Sequence, residues 1–172
     1  MTQAYLVCGS PGTGKTTYGK KLAEEKQAVF LDIDVSTERL VRLALTLSGQ
    51  DSEDRDSPCF KKHFRDPVYE QLFDIARDNL PLRNVVIAGP FTKEIKDPEW
   101  PEKLAAHLGA PVEVHYVFCP SQIRKERMIK RAQSRDEGKL RDWDNYLHYY
   151  EDEPAPACEH FQVDNSANLE VC

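Results

Sequence analysis

Gly9-Ser10-Pro11-Gly12-Thr13-Gly14-Lys15-Thr16, GSPGTGKT, satisfies the pattern G-x-x-x-x-G-K-[ST] at every fixed position, with Gly9, Gly14, Lys15 and Thr16 in the four required places. The apolar run Ala4-Tyr5-Leu6-Val7-Cys8 stands directly before it, and Thr17 to Lys26 can form a helix after it. In a strand, loop, helix order, glycines let the chain curl so that main-chain N–H groups point inward, and the helix adds its positive end. Gly9, Ser10, Gly12, Thr13 and Gly14 are therefore expected to cradle nucleotide phosphates. Lys15 is expected to reach the β- and γ-phosphates, the Thr16 hydroxyl to sit on Mg²⁺, and Thr17 to touch the α-phosphate.

Working outward, Ala28-Val29-Phe30-Leu31 is too short and too apolar for a surface helix and reads as a parallel strand buried on both faces. It runs into Asp32-Ile33-Asp34. Ligands of open α/β sheets bind beyond the carboxyl ends of the strands, and two aspartates one residue apart on an extended backbone point to the same side. Both carboxylates are thus expected beside the phosphate loop, with helix capping at a start near Ser36 as the competing role.

The phosphate loop followed by D-x-D resembles the small P-loop kinases of the shikimate, gluconate and adenylate kinase group, and also the phage polynucleotide 5′-kinase domains. The resemblance implies a three-layer α/β/α P-loop NTPase fold with a five-stranded parallel sheet in the order 2-3-1-4-5 and a helical lid. It makes Asp32 the metal-side carboxylate and Asp34 the base for an acceptor hydroxyl. It also implies an acceptor-binding flap over residues 49–65 and a lid over residues 124–141.

The remaining chain supplies those parts. Ser36 to Leu47 carries Leu40, Val41, Leu43, Ala44 and Leu47 at helical spacing, while Arg39 and Arg42 lie off that stripe. Gly49 to Phe64 has no sustained periodicity and reads as a long loop, with Arg55, Lys61, Lys62, His63 and Arg65 as its cations. Asp66-Pro67 signals a helix start, and Val85 to Ala88 a third strand. That strand ends in Gly89-Pro90-Phe91-Thr92, without the aspartate that helps hold Mg²⁺ in many phosphate-loop ATPases. A helix is expected over Pro98 to Leu108, started by Asp97 and stopped by Gly109, then a fourth strand over Val112 to Phe118.

Gln122 to Ser134 reads as a helix, with Ser121 available as its cap. Arg127, Arg131 and Arg135 recur every fourth residue and share a face if the helix continues; such a row repels itself and calls for an anion, which ATP supplies. The alternative is a basic face neutralised by Glu126, Asp136 and Glu137. By the resemblance, Arg127 and Arg131 stabilise the transferring phosphoryl group, Arg135 adds a nucleotide contact, and residues 136–139 form the flexible lid tip. Trp143, Tyr146, Leu147 and Tyr150 give an aromatic stripe on a further helix, Phe161 to Val163 a fifth strand, and Asn165 sits where the base is expected.

The 172 residues fit one domain, 40% apolar and 30% charged, with no run long enough for a membrane span and no signal-peptide composition at the N-terminus. Five cysteines without a C-x-x-C pair fit reduced thiols in a cytoplasmic protein, with Cys8 and Cys119 as small buried hydrophobes. The net charge of -6 argues against nucleic acid as a general partner. The sequence thus points to transfer of the ATP γ-phosphate, with Mg²⁺, to a hydroxyl of a small acceptor. The alternatives are a polynucleotide 5′-hydroxyl kinase and an ATP-dependent switch acting on a protein partner.

Overall fold

The computed structural model describes residues 1–55, 57–150 and 155–167, without the side chains of Arg135, Tyr149 and Tyr150. Five strands, β1 (Ala4–Cys8), β2 (Val29–Asp32), β3 (Val85–Ala88), β4 (Val112–Phe118) and β5 (Phe161–Asp164), form one parallel sheet in the order β2-β3-β1-β4-β5. The central strands β1 and β3 are buried along their whole length, as continuous apolar runs between two helical layers require. Leu6, Val85, Ile87 and Val114 pack on one side with Leu72, Ala76 and Leu104, and Tyr5, Val7, Val86 and Val117 on the other with Leu22 and Ala23. The order is the expected one, and it makes β2 an edge strand. Val29 and Phe30 are accordingly only half-buried, not covered on both faces.

Four helices build the first half: α1 (Lys15–Glu25), α2 (Ile33–Leu47), α3 (Pro58–His63) and α4 (Arg65–Asn79). α2 starts three residues before the expected Ser36, because Asp32 is its N-cap and accepts from the amides of Asp34 and Val35. Its phase also differs from the reading of the leucines. Thr37, Val41 and Leu45 are its buried residues, Val41 and Leu45 packing with Phe60, Phe64 and Val68, and Leu40, Leu43 and Leu47 are left exposed.

The stretch expected to be a loop contains α3. The Ser57 hydroxyl accepts from the Phe60 amide, Pro58 opens the helix, and Phe60 supplies the buried anchor. α4 then begins at Arg65 with Phe64 as N-cap, so Asp66 lies inside the first turn and does not cap it.

The second half carries α5 (Trp100–Leu108), α6 (Ser121–Arg131), α7 (Ser134–Arg141) and α8 (Trp143–Tyr150). α5 is two residues shorter than expected at its start, since Asp97 accepts from the Glu99 amide and closes a turn of its own. Gly109 ends it in the left-handed region, as expected. Pro120, and not Ser121, is the N-cap of α6. α6 stops at Ala132, which has φ 48, and the chain restarts as α7. The Arg127, Arg131, Arg135 row is therefore split between two helices. Residues 136–139, expected as the tip of the lid, belong to α7, and Asp136 is buried. Trp143 and Tyr146 pack with Met128, in accord with the aromatic stripe; the Tyr150 side chain lies outside the described residues.

Candidate active site

The phosphate loop joins β1 to α1 and takes its shape from glycines. Gly9 has φ 139 and Gly12 φ 83, values that L side chains rarely adopt. A Cβ on Gly12 would stand 2.9 Å from the Arg124 carbonyl oxygen, so this glycine also lets α6 pack against the loop. The buried Thr13 hydroxyl donates to the Ser10 carbonyl at 2.9 Å, and Lys15 Nζ donates to the same oxygen at 2.8 Å. Gly14 caps α1 with no side-chain hydrogen bond, and the first turn carries no acid. The helix N-terminus thus keeps its N–H groups and partial positive charge for an anion.

Asp32 joins this loop to α2. Its Oδ2 accepts from the Thr16 hydroxyl at 2.8 Å while its Oδ1 caps α2. Pairing of Asp32 with Ala88 in the sheet register brings the carboxylate beside the end of β3. The carboxylate therefore does both jobs weighed for it, capping and phosphate-loop contact. Asp34 lies in the first turn of α2 instead of on an extended backbone, and is exposed. It still shares a cavity of about 1170 Å³ with Gly12, Gly14, Lys15, Thr16 and Asp32.

Two oxygen donors, the Thr16 hydroxyl and the Asp32 carboxylate, stand side by side there, and hard-cation chemistry suits them. No cluster of three or more His, Cys, Asp or Glu suited to a metal occurs among the described residues. Mg²⁺ bound mainly through phosphates and water needs no such cluster. After β3, where many phosphate-loop ATPases carry an acid, this chain turns through Phe91, fully buried with φ 46, whose amide donates to the Tyr69 hydroxyl. Phe91 packs against Tyr69, Phe73 and Trp100, so the position is an aromatic plug. Burial raises the Tyr69 hydroxyl above its ordinary pKa and pushes the Cys8 thiol up to about 12, which leaves both neutral.

The lid arginines are engaged. Arg127 donates to the carbonyls of Thr13 at 3.2 Å, Asn165 at 2.8 Å and Ala167 at 3.0 Å, and Asn165 Nδ2 donates to Thr13 O at 2.7 Å. Arg127 and Asn165 together lock the phosphate loop to the segment after β5. Arg131 forms a two-pronged pair with Asp136, at 2.6 and 2.7 Å. The neutralised alternative read from the sequence therefore describes Arg131. Arg131 and Asp136 both line the cavity, whereas the Arg135 side chain lies outside the described residues. Thr17 lines it as well.

Sequence reasoning missed Glu94, which holds Arg65 through two contacts of 2.7 Å while the guanidinium lies 4.7 Å over the Tyr69 ring. No spacing signal links residues so far apart in the chain. It also missed Phe60 as a cavity wall, because its short helix has too few turns to show a period.

The order of the sheet, the loop on β1 and the lid over it define the small P-loop kinase fold, related to that of the sugar, gluconate and shikimate kinases. Residues 5–152 match the AAA domain family model, and the chain belongs to that family. Its structure is similar to that of a candidate kinase from Chloroflexus aurantiacus, with TM-score 0.66 and 17% identity over 99% of this chain and 92% of that one. A sugar kinase from Janibacter sp. aligns with TM-score 0.60 and 19% identity over 96% and 86%. A shikimate kinase from Bacteroides thetaiotaomicron aligns with TM-score 0.53 and 17% identity over 99% and 89%. No curated protein matches the chain. No helix among the described residues is long and apolar enough to cross a membrane.

Proposed function

We propose that this protein is a kinase that binds ATP with Mg²⁺ and moves the γ-phosphate to a hydroxyl of a small acceptor. The observation that carries this reading is the Asp32 carboxylate, which ties Thr16 of the phosphate loop to the first turn of α2 and so draws Asp34 into the cavity that Lys15 lines.

In this reading Lys15 leaves the Ser10 carbonyl for the β- and γ-phosphates, and the loop amides hold the remaining oxygens. Thr16 and Asp32 would hold Mg²⁺, which when bound neutralises charge on the phosphate oxygens. Asp34 takes the proton of the acceptor hydroxyl as its oxygen bonds to the γ-phosphorus and the bond from that phosphorus to the β–γ bridging oxygen breaks, with ADP as the leaving group. Arg131 meets the transferring group after exchanging Asp136 for it, whereas Arg127, expected beside it there, is held by the carbonyls of Thr13, Asn165 and Ala167 and fixes the loop for the nucleotide. Arg135 and Asn165 complete the nucleotide side, residues 49–65 the acceptor flap and residues 124–141 the lid, in a single domain acting in the cytoplasm. The test is transfer of label from γ-labelled ATP to pools of metabolites, nucleosides and oligonucleotides, with ATP alone as the hydrolysis control. Label on a metabolite fraction supports the reading; release only as free phosphate overturns it.

A further inference from the structure

α2 carries two apolar stripes, and the fold covers only one of them. Val41 and Leu45 pack with Phe60, Phe64 and Val68. Leu40, Leu43 and Leu47 stay 72%, 56% and 79% exposed. Each residue turns about 100° around a helix axis, which puts the second set roughly opposite the first. From Ser36 through Leu40, Leu43 and Leu47 to Gln50 the spacing alternates between four and three residues, the pattern of a coiled-coil seam. Single exposed leucines are ordinary, whereas three in one row leave on the order of 300 Å² of apolar surface in water, the size that marks an interaction site.

A second α2 fits this stripe. Around a two-fold axis the same patch meets itself, and in an antiparallel pair centred near Leu43 each Leu40 lies against Leu47 of the other copy. The charges agree with that orientation. Arg39 is exposed beside the stripe, and antiparallel pairing sets it against the C-terminal end of the second α2, where main-chain carbonyls carry partial negative charge and the exposed Asp51 follows. A parallel pair would set Arg39 beside its own copy. Asp34, Thr37 and Val41 line the cavity from the inner side of the helix, so pairing through the outer stripe does not fill it. Two copies paired along about four turns bury roughly 1,000 Å² in total, the lower limit of a specific interface, which makes the pair weak and dependent on concentration.

We infer that this protein self-associates through α2, two copies packing the Leu40, Leu43 and Leu47 stripe antiparallel across a two-fold axis. This holds whether or not the chain transfers phosphate. Sedimentation velocity of the full chain from about 1 to about 200 µM should show a reversible monomer–dimer equilibrium with Kd of roughly tens of micromolar. Leu43→Glu places two carboxylates in the middle of the seam and should weaken association by roughly tenfold or more. Leu82→Glu, at an equally exposed leucine outside the stripe, should leave it unchanged. Arg39→Glu should weaken association about threefold, and adding Asp51→Arg should restore part of the loss. Circular dichroism and thermal melts like those of the parent chain show that the variants are folded. The proposal is overturned if the parent chain is monomeric at the highest concentration, which leaves the stripe to a different protein, or if Leu43→Glu associates undiminished. It is also overturned if Leu82→Glu weakens association as much as Leu43→Glu does, or if the double variant associates no better than Arg39→Glu.

Discussion

The phosphate loop and the α2–α3–α4 wall line the same cavity, yet the first is built from main chain and the second from side chains. Around Gly9 to Thr16 the shape comes from positive φ angles, carbonyls and the open end of α1, with Arg127 of α6 and Asn165 after β5 bracing it. Around Arg55 and Phe60 it comes from packing of three helices, one of them six residues long, on a small cluster separate from the main core. Main-chain recognition serves any nucleoside triphosphate, and side-chain recognition can be changed one residue at a time. The difference therefore matches a common donor and an individual acceptor.

The largest effect should come from the donor wall. Lys15→Ala removes the one cation of the Gly9–Thr16 loop and should weaken ATP binding on the order of a hundredfold, measured by calorimetry, with little change in thermal stability. Phe60→Ala should act on the other wall alone. Deleting a buried aromatic ring costs about 3 kcal/mol, and here the loss should appear as faster amide exchange in α3 and the start of α4 with ADP affinity retained. If ADP affinity fell as well, the two walls would be one cooperative unit and the comparison would break.

A smaller effect concerns the layer behind the donor wall. His115 Nδ1 lies 2.8 Å from the Tyr18 hydroxyl of α1, and Nε2 lies 2.8 Å from Glu113. Burial lowers its pKa below the ordinary value, against the pull of Glu113. The unfolded chain then binds more protons than the folded one in the histidine range, so stability should fall as pH drops through about 6.5. Thermal melts of His115→Gln should show a flatter dependence over that window.

The same contrast explains what could be read from the sequence. β1, β3 and β4 and the loop were legible to the residue, because buried parallel strands leave unbroken apolar runs and the loop leaves fixed glycines. Asp34 was placed in the right cavity but on the wrong backbone, since Asp32 capped the helix earlier than Ser36 could. The leucines of α2 misled because a helix with apolar residues on two faces does not declare which one packs; Phe60 and Val68 decide it in space. The lid row Arg127, Arg131, Arg135 assumed one helix, and a left-handed residue at Ala132, which no glycine announces, divided it. Asp136, five residues beyond Arg131, became its partner through that break.

The central claim is that Asp34 performs transfer chemistry and is not simply a residue in the first turn of α2. Asp34→Asn in a single-turnover assay, with ATP affinity measured on the same preparation, tests this most directly. ATP affinity should stay close to that of the parent chain while transfer to the acceptor slows by about a hundredfold or more. Transfer at the parental rate would contradict it.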